Sequence, residues 1–116
     1  MFASGRVIID PHNANAGTLT PGLIFGDHSG EGIASRRTAG DNQYGLDFCT
    51  DYQPRMSIAN GGNVGIGTLT PSAKLDVDGT VRASGVINAV GGLIIENRTS
   101  DPPSPAPGQI WLRTDL

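Results

Sequence analysis

An all-β fold of many short strands with a small core and no long helices is what this sequence predicts, on three observations. Strand-sized apolar runs bounded by Gly, Pro, Asn or Asp recur about every 8 to 12 residues. Glycine and proline, 17 and 8 of 116 residues, stand at roughly twice their average combined usage. Aromatic residues are only 5%, with Trp111 the single tryptophan, so the large side chains that usually fill a compact core are scarce.

Other classes fit less well. The chain is 37% hydrophobic with a net charge of −3, unlike a disordered chain, and its glycines show no three-residue period, unlike collagen. Seven arginines and Lys74 are spread along a chain of pI about 5.1, with no basic patch for nucleic acid. A lone Cys49 provides no disulfide framework. Residues 1–5 lack the basic start and apolar core of a secretory signal. The longest apolar stretch, Ala89 to Ile95, is too short to cross a membrane.

In chain order the expected strands are Arg6–Ile9, Gly22–Phe25, Gly32–Arg36, Gly45–Phe48, Arg55–Ala59, Val64–Ile66 and Lys74–Val77. Then come Val81–Ala83, Gly85–Val90, Leu93–Glu96 and Gln109–Leu112. Several alternate. Met56 and Ile58 share one face against Arg55, Ser57 and Ala59, and Leu75 and Val77 oppose Lys74, Asp76 and Asp78. Each such strand has one narrow apolar face that needs cover from one side. Faces two side chains wide suit a slender prism or β-helix better than a thick sandwich.

Gly17-Thr18-Leu19-Thr20-Pro21 recurs unchanged as Gly67-Thr68-Leu69-Thr70-Pro71, each copy leading into a short apolar strand. Composition changes at residue 99. Residues 1–98 read as a β-rich module, and 99–116 as a proline-rich spacer with a short terminal strand anchored by Trp111.

One stretch is more specific. Asn60 to Gly79, NGGNVGIGTLTPSAKLDVDG, resembles the N-G-N-V-G-I-G-T-x-x-P-x-x-K-L-x-V-x-G segment of bacteriophage tail fibres and related prophage and surface proteins. Arg55-Met56-Ser57-Ile58 looks like the strand leading into it, and Pro107-Gly108-Gln109-Ile110-Trp111 is similar to an ending found in phage structural proteins. The likeness is sharp over Arg55–Gly79 and looser over Ser29–Leu116. It implies an intertwined homotrimeric fibre, β-prism or β-helix-like, in a virion tail or a prophage-encoded surface structure. The chain's partners would be its own copies and a host cell-surface glycan. The trimer-forming residues implied are Gly62, Val64, Gly65, Ile66, Gly67, Leu75 and Val77. No part of these residues resembles the helical chaperone region that follows the motif in many such fibres.

The physics of the segment agrees. Glycines there remove β-carbons where backbones approach or φ turns positive, and Val64 and Ile66 form one β-branched face.

Catalytic candidates all have plainer readings. Gly62-x-x-Gly65-x-Gly67 is not a dinucleotide fingerprint, since no helix follows. Asp27-His28-Ser29 are adjacent, whereas a triad is assembled from separated positions, so they read as a surface turn. His12 and His28 with Asp10, Asp27 and Glu31 lack zinc-site spacing and read as polar turns, so no metal is expected. Asp76 and Asp78 read as a solvated strand face, and Cys49 as buried packing without a thiolate-stabilising neighbour. No cofactor and no enzymatic activity are expected. Tyr44, Tyr52 and Trp111 are the candidate receptor-contacting residues, because sugars stack on aromatic faces. A small monomeric carbohydrate-binding β-sandwich is the alternative to the fibre.

Overall fold

The computed structural model describes residues 2–3 and 5–115 and is all-β, with no helix among them. The chain divides into two compact units, Met1–Arg82 and Ala83–Leu116. The composition boundary at residue 99 falls inside the second.

The first unit opens with a small antiparallel pair, β1 (Phe2–Ala3) and β2 (Arg6–Val7). Its main feature is a mixed six-stranded sheet whose spatial order follows the chain: β3 (Leu23–Phe25), β4 (Glu31–Ala34), β5 (Leu46–Thr50), β6 (Gln53–Ile58), β7 (Val64–Ile66) and β8 (Leu75–Val77). Pairing is antiparallel from β3 to β7, and β8 is parallel to β7.

Turn chemistry sets the hairpins. The β5–β6 loop is the two residues Asp51-Tyr52, both left-handed at φ 51 and 58, the geometry of a type I′ turn. Between β6 and β7, the Gly62 amide donates to the Ala59 carbonyl at 2.8 Å with Gly62 at φ 90. Gly61 has no left-handed φ, and a β-carbon on it would meet nothing. Of the two neighbouring glycines, therefore, only Gly62 is required by the backbone. Gly62→Ala should cost about 1 kcal/mol in urea unfolding, while Gly61→Ala should be neutral or stabilise by about 0.5 kcal/mol through the unfolded chain.

The β7–β8 connection is unusual. Parallel neighbours ordinarily need a dozen or more connecting residues, yet Gly67–Lys74 supplies eight. Close packing makes this possible. A β-carbon on Gly65 would lie 2.2 Å from the Thr68 carbonyl oxygen, so the loop doubles back directly under the strand. Asp76 then holds the loop's far end by accepting from the Ser72 amide at 2.8 Å and the Ser72 hydroxyl at 2.9 Å. Those bonds, the amide's foremost, hold its carboxyl below the usual range.

The repeated pentapeptide occupies equivalent places. Gly17 and Gly67 are both left-handed, at φ 92 and 77, and the two copies lead into β3 and β8, the two edges of the sheet. The units around them differ, since β3 pairs antiparallel and β8 parallel. Asn15, 1% exposed, organises the first copy. Its Oδ1 accepts from the amides of Gly17 at 2.6 Å and Thr18 at 3.0 Å, while its Nδ2 donates to the carbonyls of Thr18 and Pro21. Asp10 accepts from the amides of Ala14 and Asn15 at 2.9 and 2.8 Å, which holds its own carboxyl below the usual range.

Three expected strands, Val81–Ala83, Gly85–Val90 and Leu93–Glu96, are absent. They are rich in apolar and β-branched residues, but a strand exists only when paired, and their one backbone bond to another strand is at the very end, where the Glu96 carbonyl accepts from the Leu112 amide at 2.9 Å. The second unit instead contains β9 (Asn97–Arg98) and β10 (Leu112–Arg113), parallel to each other. The proline-rich residues between them close a loop that brings its ends side by side, where a polyproline-II spacer would hold them apart. Arg113 on β10 closes that loop by pairing with Asp101 within it at 2.8 Å, and it also pairs with Asp115 just past the strand at 2.6 Å.

Candidate functional site

The sheet of the first unit has two unlike faces. Register places Leu23, Ile33, Phe48, Met56, Ile66 and Val77 in one row across all six strands. Beside it runs a second row on the same side, Leu46, Ile58, Val64 and Leu75. None of these ten apolar side chains is buried, and Leu75 is 62% exposed. At the β3 end the face continues into a cavity of about 250 Å³ lined by Ile9, Leu23, Ile33 and Leu46, with Asp10 and Arg37 also at its wall.

The opposite face carries small and polar residues: the row Ala34, Asp47, Ser57, Gly65 and Asp76, with Gly32 and Cys49 beside it. All but Asp76 are buried. This is the side that the chain's own loops cover. A β-carbon on Gly32 would lie 2.8 Å from Leu19 Cδ2, and one on Gly45 would meet Asn42 Oδ1 at 2.0 Å. Leu19, Ala34 and Cys49 form the only hydrophobic cluster of buried residues described. Burial pushes the Cys49 thiol up, and the Asp47 charge adds to it. Asp47 is buried against donors: its Oδ1 accepts from Asn42 Nδ2 at 2.6 Å and Ser57 Oγ at 2.8 Å. Loops therefore pack on the small face by hydrogen bonds, and the large side chains are left facing water.

That arrangement inverts the usual one, in which a half-exposed sheet buries its apolar side. Area gives the same result. A folded monomer of 12.0 kDa exposes about 6,000 Å², whereas this chain exposes 8868 Å². The difference is roughly 2,900 Å². In the second unit too, large apolar side chains face water: Val86 and Ile94 are each 96% exposed.

The motif residues divide by role. Val64, Ile66, Leu75 and Val77 lie on the open apolar face, and Gly65 lies on the covered small face. Gly62 and Gly67 occupy left-handed turn positions at either end of β7.

No protein-family model, curated protein or solved structure matches the chain.

The two tyrosine candidates are not brought together. Tyr44 lies in the β4–β5 loop at φ 64, its amide donating to the Arg36 carbonyl at 2.8 Å. Tyr52 lies at the tip of the β5–β6 hairpin and shares no cavity with Tyr44. Trp111 belongs to the second unit, half-buried just before β10. Tyr52 instead lines a cleft with Asp27 and His28, which sequence spacing had set apart as an ordinary turn. Among the described residues no three His, Cys, Asp or Glu side chains gather as a metal site requires. Among the described residues no helix is long and apolar enough to cross a membrane.

Proposed function

We propose that this chain is a structural and receptor-contacting module of a trimeric fibre of the bacteriophage tail-fibre kind. Three copies close their apolar sheet faces around a common axis, as an intertwined β-prism or β-helix-like rod, and exposed loops meet the host surface. The module works by assembly and adhesion, in a virion tail or a prophage-encoded surface structure. The observation that carries this reading is the ten-residue apolar face, open in the single chain and opposite the face its own loops cover. The resemblance of Arg55–Gly79 to tail-fibre segments supplies the kind of assembly and the number three.

The monomeric carbohydrate-binding sandwich is less well supported. A sandwich needs a second sheet of comparable size, and among the described residues the first unit has only the two-residue strands β1 and β2 besides its six-stranded sheet.

Sedimentation equilibrium or native mass spectrometry at micromolar chain concentration tests the proposal. A species of about three times 12.0 kDa is expected, and a stable species at 12.0 kDa would overturn it.

A further inference from the structure

Tyr52 stands where its side chain is a liability. In a type I′ turn both central residues need positive φ, and the favoured pair is Asn-Gly or Asp-Gly. Here the pair is Asp51-Tyr52, and a bulky residue at φ 58 is a true outlier. Strain of this kind collects at sites of function, where the surrounding structure holds it in place.

What holds it is visible. The Tyr52 amide donates to the Gly30 carbonyl at 3.0 Å. Gly30 is buried at φ 85, and a β-carbon on it would lie 2.6 Å from the Tyr52 nitrogen and 2.9 Å from its ring Cδ2. Gly30 closes the neighbouring β3–β4 hairpin loop, so two hairpin tips meet at one end of the sheet. Between them is a cleft of about 130 Å³ that Tyr52, Leu19 and Ile24 line together with Asp27, His28 and Ser29. His28 is itself left-handed at φ 55, and its Nδ1 lies 2.7 Å from Asp27 Oδ1. Ser29 Oγ donates to the Phe25 carbonyl at 2.6 Å, which fixes the loop.

An aromatic ring thus borders a carboxylate–imidazole pair whose remaining polar atoms, Asp27 Oδ2 and His28 Nε2, are available to a ligand. We propose that the cleft between the β3–β4 and β5–β6 hairpin tips is a saccharide subsite. A pyranose lays its C–H face on the Tyr52 ring and offers adjacent hydroxyls to Asp27 and His28. One hydroxyl donates to the carboxylate, a charge-assisted bond, and its neighbour meets the imidazole. This rests on the receptor-contacting half of the proposed function and is independent of the trimeric half.

The test uses the full chain and three probes: methyl glucoside, methyl galactoside and methyl N-acetylglucosaminide, each at millimolar concentration, read by saturation-transfer NMR. At least one should receive saturation through its ring C–H protons, and Asp27→Asn should weaken that binding at least tenfold. The decisive variant is Tyr52→Gly. It relieves the strained turn, so the melting temperature should rise by about 4 °C or more while binding is abolished. Tyr44→Ala should leave binding intact. Failure of all three probes, or binding that survives Tyr52→Gly, overturns the subsite. A lower melting temperature in that variant also overturns it, by making the ring structural. Oligomeric mass measured on the same samples reports separately on the fibre reading.

Discussion

Met56→Glu is expected to break the assembly while leaving the single-chain fold in place. Met56 is on β6, inside the six-residue row and flanked on neighbouring strands by Phe48 and Ile66. In the isolated chain it is half-buried, so a glutamate there reaches water at little cost. Against a neighbouring copy the same carboxylate is taken out of water without a partner, and the effective penalty is several kcal/mol per ion. A threefold arrangement repeats that penalty three times. A loss of even about 3 kcal/mol raises the dissociation constant more than a hundredfold, so at micromolar concentration the variant should sediment as a folded monomer. Far-UV circular dichroism should retain its β signature. Lys74→Glu, an exposed change in the β7–β8 loop, is the control and should leave the mass unchanged. A Met56→Glu protein of the same mass as wild type would show that this face is not where copies meet.

The strands were legible wherever alternation and turn residues coincided. Val64–Ile66 is bounded as expected because Asn63 and Gly67 stop it on either side, and Met56 and Ile58 share a face as their spacing requires. Which face the chain covers was not read, although a signal for it exists. The positions alternating with the apolar residues are Gly32, Ala34, Ser57 and Gly65, small residues against which loop backbone can pack. A face meant for water would carry more Lys, Glu and Arg. Absent strands have a different cause: residues 81–96 have β composition, but composition does not supply a pairing partner. The Tyr52 cleft was out of reach because it joins two hairpins more than twenty residues apart, and because Asp-Tyr does not announce a type I′ turn as Asn-Gly does.

The second large effect is local. Gly65→Ala should destabilise the sheet by about 3 kcal/mol, near the upper range for overpacking. Gly65 is buried on β7, paired with Ser57 on one side and Asp76 on the other, so the strand cannot slide to make room. An added methyl would lie 2.2 Å from the carbonyl oxygen of Thr68 and 3.0 Å from its Cγ2. The oxygen belongs to backbone, in a loop pinned at its far end by the two Ser72–Asp76 hydrogen bonds. Shifting it means lengthening those bonds or parting β8 from β7. The usual benefit of replacing glycine, about 0.5–1 kcal/mol from a less flexible unfolded chain, does not offset this. Urea unfolding followed by circular dichroism, at one fixed chain concentration so that any association contributes equally, should show a much lower midpoint for Gly65→Ala than for wild type. Gly61→Ala, four residues earlier in the same motif, should not show it. Equal midpoints for the two variants would mean that the eight-residue connection does not fold back beneath β7, and the parallel pairing of β8 would lose its physical basis.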